Sequence, residues 1–119
     1  MKKIYYLGTC DTCKKIMVDA GINTTTGFEM QDIKTNKITA AQLEEMKQFS
    51  GSYESLFSRR AIKYKELGLK DKLLVEQDYR DYILNEYTFL KRPVVIIGKR
   101  IFVGSEKKTV EAMIAALKK

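Results

Sequence analysis

The only two cysteines of this chain, Cys10 and Cys13, stand two residues apart in the stretch Thr9-Cys10-Asp11-Thr12-Cys13-Lys14-Lys15. Their flanks restrict the fold more than any other feature. Lys3-Ile4-Tyr5-Tyr6-Leu7 is rich in aromatic and branched residues and reads as a buried strand. Gly8-Thr9 turns the chain. A helical period then runs from about Thr12 to Ala20, with Ile16, Met17 and Ala20 on its apolar face and Gly21 as its C-cap. Cys10 therefore sits at or just before a helix N-terminus, and Cys13 lies in the first turn.

The remaining segments alternate between strand and helix. Phe28-Glu29-Met30-Gln31-Asp32-Ile33 has the period-2 pattern of a strand. Thr39-Ala40-Ala41-Gln42 matches a capping box and opens a helix that places Leu43, Met46 and Phe49 inward before Ser50-Gly51-Ser52 stops it. Tyr53 to Leu90 reads as broken helix: a short piece from Tyr53 to Phe57, a second from Ala61 to Leu67 closed by Gly68, and a third capped by Asp78 that carries Tyr79, Tyr82, Ile83 and Tyr87. The aromatic residues Tyr79, Tyr82, Tyr87 and Phe89 suit the core of this insert. Pro93, the only proline, begins the strand Val94-Val95-Ile96-Ile97, where a strand tolerates proline best. Lys99-Arg100 is the expected turn to a returning strand, Ile101-Phe102-Val103. Ser105 is the expected cap of a last helix with Val110, Met113, Ile114 and Leu117 inward and Lys118-Lys119 favourably placed on its dipole.

The expected frame is α/β, β-α-β-α followed by a helical insert, a β-hairpin and a final helix. Without the insert this is the thioredoxin plan, a mixed four-stranded sheet flanked by helices. The chain of 119 residues, 45% hydrophobic, suits a single domain. Its thioredoxin-like core is expected at residues 1–50 and 91–119, with the insert at 51–90.

Composition narrows the chemistry. The chain has no histidine, which removes every Cys–His pair, His-ligated metal and histidine base. Zinc needs four ligands, and two cysteines alone do not supply them, so no metal is expected. The apolar run after Lys2-Lys3 is too short for a signal-peptide core, and no segment approaches a membrane span. The expected location is the cytoplasm, where thiols stay reduced and a cysteine pair is more often functional than a structural staple. The net charge of +7 suits solubility or an anionic ligand. Lysine and arginine are scattered without a concentrated stripe, so direct nucleic-acid binding is not expected. With no long apolar edge strand or heptad pattern, a monomer is expected.

A thiol attacks as thiolate. Cys10 at a helix N-terminus faces unpaired amides and the positive end of the dipole, and Lys14 and Lys15 add positive charge, opposed in part by Asp11. The expected result is a lowered Cys10 pKa. Across the helix start Cys13 can reach Cys10, which makes it the resolving thiol: Cys10 attacks, a mixed species forms, and Cys13 releases it. Arg60 and Arg92 carry the rigid fork that suits oxyanions, while Lys91, Arg59, Lys63, Lys65, Lys99 and Arg100 read as solvated charge. In the thioredoxin plan a cis-proline at the start of this strand lies beside the cysteine pair; if Pro93 is that residue, Arg92 points near Cys10.

These stretches resemble the arsenate reductase (ArsC)/Spx family of thioredoxin-fold proteins with a helical insert, over nearly the whole chain. The resemblance rests on the strand leading into Cys10-Asp11-Thr12-Cys13-Lys14-Lys15, on Asp32-Ile33-Lys34 before the Thr39 box, and on Leu56-Phe57-Ser58-Arg59-Arg60 followed by Tyr64-Lys65-Glu66-Leu67-Gly68-Leu69. It extends to Leu90-Lys91-Arg92-Pro93-Val94-Val95-Ile96 and Gly98 through Gly104. It implies Cys10 as nucleophile, and Arg60 and Arg92 as holders of an oxyanion in arsenate-reducing members. It also implies no bound cofactor and an external thiol donor, glutathione with glutaredoxin or thioredoxin. Those reductases carry a third arginine where Val103 stands and a histidine where Tyr6 stands, and their glutaredoxin-coupled members usually lack a second loop cysteine. A Cys-x-x-Cys loop is instead the Spx pattern, that of redox-sensing regulators that bind the RNA polymerase α-subunit through the region near Gly51-Ser52. Two function classes follow: a thiol reductase of arsenate or a small disulfide, and a redox switch acting through a protein partner.

Overall fold

A computed structural model describes residues 1–118; the expected contribution of Lys119 to the last helix dipole lies outside them. Four strands form one sheet: β1 (Lys2–Tyr6), β2 (Glu29–Asp32), β3 (Val94–Ile97) and β4 (Arg100–Val103), in the order β2-β1-β3-β4. β1 pairs parallel with β2 and antiparallel with β3, and β3 pairs antiparallel with β4. Helices are α1 (Asp11–Ala20), α2 (Ala40–Ser50), α3 (Ile62–Glu66), α4 (Glu76–Asn85) and α5 (Lys107–Leu117). This is the mixed four-stranded sheet with helices that the alternation implied.

The chain divides into two units, Met1–Lys37 with Arg92–Lys119, and Ile38–Lys91. In the first, alternation along the strands sends Ile4, Val95 and Phe102 to one face. There they join Ile16 of α1, Met113 of α5, Ile22 and Phe28 in a single buried cluster. Gly21, left-handed at φ 70°, ends α1, its N–H directed to Met17 and Val18 carbonyls. The β3–β4 turn falls at Gly98-Lys99, not at the expected Lys99-Arg100. Arg100 is the first residue of β4 and pairs with Ile97, and Gly98 takes φ 62°, which a tight hairpin needs. The last helix starts from Glu106, one residue beyond Ser105, and that cap makes no side-chain bond.

In the second unit, α2 opens on the expected box. Gln42 N–H donates to Thr39 Oγ1 and Thr39 N–H to Gln42 Oε1, both at 3.1 Å. Leu43 and Met46 are fully buried, while Phe49 is half-buried. Thr39→Ala is expected to lower the stability of the protein by about 1 kcal/mol and Thr39→Ser by much less, read by urea denaturation. Equal losses in the two would mean that the hydroxyl bond is not what stabilises this helix end.

The insert is built around Phe57. Its ring stacks on Phe89 at 5.0 Å and meets Tyr79 edge-on at 4.9 Å, with Tyr64 and Tyr82 at 6.0 and 6.5 Å. Backbone bonds Ser58 N–H to Phe89 O (2.6 Å) and Lys91 N–H to Leu56 O (2.9 Å) tie its two ends together. Asp78 does not cap α4. The helix begins three residues earlier than that cap would set it, at Glu76 after Val75, and the Asp78 carboxylate reaches back to accept the Val75 N–H at 2.9 Å. Tyr87 lies past the helix in a 3-10 turn, Tyr87–Phe89. Arg59, read as solvated charge, is exposed, and there it donates to Glu54 (2.9 Å) and the Tyr79 hydroxyl (3.2 Å).

Candidate active site

The strand pairings collect one set of residues at one end of the sheet. β1 and β2 end there at Tyr6 and Asp32, which are register partners, and β3 begins there at Val94, paired with Val103, the last residue of β4. β1 leaves this end into the cysteine loop. Cys10 N–H donates to Leu7 O at 3.0 Å, closing a turn around Gly8 and Thr9. Cys10 then serves as the N-cap of α1 with extended backbone, φ −93° and ψ 113°, and its carbonyl accepts the Lys14 N–H.

The two thiols are free and differently housed. Cys10 is half-buried; Cys13 is fully buried. Burial of Cys10 opposes its anion. The Cys13 amide and thiol, the Thr12 amide and the Arg92 charge outweigh it and hold the Cys10 thiol below its ordinary value. Burial pushes the Cys13 thiol up to about 11, and the Cys10 charge adds to that, against the Leu7 amide and Arg92. The pair thus presents one accessible sulfur that ionises readily and one enclosed sulfur that keeps its proton. This is the division of labour that attack followed by resolution requires.

Arg92 stands half-buried before β3, its charge felt by both sulfurs, and the Arg92–Pro93 peptide bond is cis. Pro93 is buried, and its carbonyl accepts the Gly104 N–H at 2.9 Å. Cys10, Cys13, Arg92 and Pro93 therefore share the first unit. Arg60 belongs to the second, exposed in the turn before α3, with its backbone N–H on Ser58 Oγ at 3.3 Å. Val103 is half-buried at the same sheet end as the cysteine loop and offers no donor to an anion. Among the described residues no group of three or more His, Cys, Asp or Glu side chains could hold a metal ion, and no helix is long and apolar enough to cross a membrane.

One residue at this end escaped the sequence reading. Asp32 turns its carboxylate onto the cysteine loop, accepting the Gly8 N–H at 3.3 Å. The signal available was an acidic residue closing the second strand, which gains meaning only once the β1–β2 register is known.

The model of the ArsC family matches residues 5–113. Among solved structures, the YffB (PA3664) protein is similar with 23% identity and a TM-score of 0.78, covering 98% of this chain and 99% of its own. An arsenate reductase from Vibrio cholerae is similar at 18% identity and TM-score 0.71, covering 96% and 95%. An arsenate reductase (ArsC) related protein from Brucella melitensis follows at 24% and 0.68, covering 93% and 92%. At these identities the likeness shows the thioredoxin-like fold. No curated protein matches the chain.

Proposed function

The chain belongs to the ArsC family, and from that premise we propose that it is a cytoplasmic thiol–disulfide redox protein with Cys10 as nucleophile and Cys13 as resolving thiol. The observation that carries this reading is the pairing of a half-exposed, readily ionised Cys10 with a fully buried, protonated Cys13 at the start of α1. With a small disulfide, the Cys10 thiolate attacks one sulfur, forms a mixed disulfide and expels the other sulfur as thiolate. Cys13 loses its proton to the medium and attacks Cys10, and the second substrate thiolate leaves. The substrate gains two electrons and the protein holds a Cys10–Cys13 disulfide. An external thiol donor, thioredoxin or glutaredoxin with glutathione, supplies the electrons that restart the cycle. Arg92 favours a negatively charged substrate, and Arg60 is a second candidate for the anion; arsenate is the oxyanion the family points to.

The alternative is a redox switch of the Spx kind, in which the same disulfide alters the start of α1 and the affinity for the RNA polymerase α-subunit. Val103 favours it, because an apolar side chain stands where arsenate-reducing members place an arginine.

Arsenate and small-disulfide reduction, assayed with each donor, separates the two. The wild type is expected to turn over, while Cys13→Ser accumulates a Cys10-linked mixed disulfide visible by mass spectrometry and loses most of its turnover. Undiminished turnover in Cys13→Ser would remove Cys13 from the resolving role. Absence of turnover with either donor, together with capture of the polymerase α-subunit, would favour the switch.

A further inference from the structure

Parallel pairing of Tyr6 with Asp32 sets the exits of β1 and β2 side by side. β1 continues into the cysteine loop, and β2 turns at once. The Asp32 carboxylate spans both exits. Its Oδ2 accepts the Gly8 N–H at 3.3 Å and its Oδ1 the Lys34 N–H at 3.0 Å. Backbone bonds hold Asp32 itself in place, with Asn36 N–H on its carbonyl at 2.8 Å and Ile33 N–H on Tyr6 O at 2.9 Å. A Cβ built on Gly8 would stand 2.5 Å from Asp32 Oδ2, so any larger residue there would have to push the carboxylate aside.

A carboxylate disfavours a nearby anion, and Asp32 is not among the groups that favour the Cys10 thiolate. The service Asp32 performs at this end of the sheet therefore comes from the two amides it holds. We infer that Asp32 is a positioning residue for the cysteine loop, fixing through Gly8 the turn from which Cys10 meets the amides of Thr12 and Cys13. Gly8 and Cys10 are the two ends of the span that matters. One amide is held by Asp32 and the other by Leu7, which fixes the backbone that delivers Cys10 to the helix start.

The inference rests on the reading of Cys10 as the ionised nucleophile, and one experiment tests the two separately. Iodoacetamide labelling of Cys10, resolved by peptide mass spectrometry, is followed against pH on the reduced full chain for wild type, Asp32→Ala, Asp32→Asn and Gly8→Ala. A wild-type midpoint at or above that of a free thiol ends the nucleophile reading, whatever the variants do. With a lowered wild-type midpoint, Asp32→Ala and Gly8→Ala are expected to raise it, cutting the thiolate fraction at pH 7 about threefold to tenfold. Asp32→Asn keeps one acceptor oxygen and the side-chain volume, and is expected to fall between Asp32→Ala and wild type. The sign is diagnostic, since removing a mere negative charge would lower the midpoint. An unchanged or lowered midpoint in both Asp32 variants, with circular dichroism like the wild type, overturns the assignment. If Asp32→Ala does not fold, Asp32→Asn decides by the same criterion.

Discussion

Replacing Cys10 with serine is expected to reduce the redox turnover to the uncatalysed level, a loss on the order of 10³ or more by analogy with enzymes stripped of their nucleophile. A serine hydroxyl is not ionised near neutral pH and cannot form a disulfide, so neither half of the cycle survives. The loss should be in chemistry and not in folding. Cys10 is half-buried at the N-cap of α1, and serine is itself a good N-cap, able to accept from the same helix-start amides. Urea midpoints of the two proteins should therefore lie close together while their activities diverge. The pH profile of the wild type follows from the same site. Activity limited by attack should rise with the ionisation of Cys10, below the range of an ordinary thiol, and level off well before Cys13, raised to about 11, is half ionised. Substantial turnover in Cys10→Ser would move the reaction to another residue and end the proposed mechanism.

The second large effect is structural. Phe57→Ala should destabilise the protein by about 3–5 kcal/mol, a large share of the roughly 5–15 kcal/mol that holds an ordinary domain together. Phe57 is fully buried, and four other rings converge on it. Truncation removes its buried area and leaves a space that Phe89, held by the Ser58–Phe89 and Lys91–Leu56 backbone bonds, and Tyr79, held in α4, are poorly placed to fill. Leu73→Ala is the matching control, because Leu73 is fully exposed and its loss should stay within about 0.5 kcal/mol. Urea denaturation of both proteins reads the difference. A cost for Phe57→Ala no greater than that for Leu73→Ala would mean that the ring cluster contributes nothing to stability.

What the sequence disclosed and what it withheld divide along physical lines. The strand, the Cys-x-x-Cys loop and α1 were legible because their signals are local: an apolar run, a turn glycine, a 3.6-residue period and a C-cap glycine within about twenty residues. The Thr39–Gln42 box was legible for the same reason, being a motif complete in four residues. Misplaced features are those in which two local solutions compete. Asp78 is as good an N-cap as any by composition, yet it bonds back to Val75 and lets the helix start earlier. Arg100 could turn or pair, and the left-handed glycine before Lys99 decides for pairing. Features that stayed hidden depend on register between distant segments. The contact of exposed Arg59 with Tyr79 needed the fold to bring the two together, and Asp32 looked like an ordinary strand end until parallel pairing set it against Gly8.

The place of β1 between β2 and β3 has a consequence for the order in which the protein becomes chemically competent. Ile4 pairs with Met30, close by in sequence, and with Val95, near the other end of the chain. Contacts between near neighbours in sequence form early and cheaply, whereas those across most of the chain must first meet the entropy of closing a long loop. During synthesis on the ribosome, the β1-α1-β2 portion has emerged, cysteine pair included, well before Arg92 and β3 leave the exit tunnel. A nascent chain at that stage lacks both the Arg92 guanidinium, one of the groups that favour the Cys10 thiolate, and the strands that complete the sheet beside it. The surroundings that set the reactivity of Cys10 are therefore complete only when the last strands join the sheet.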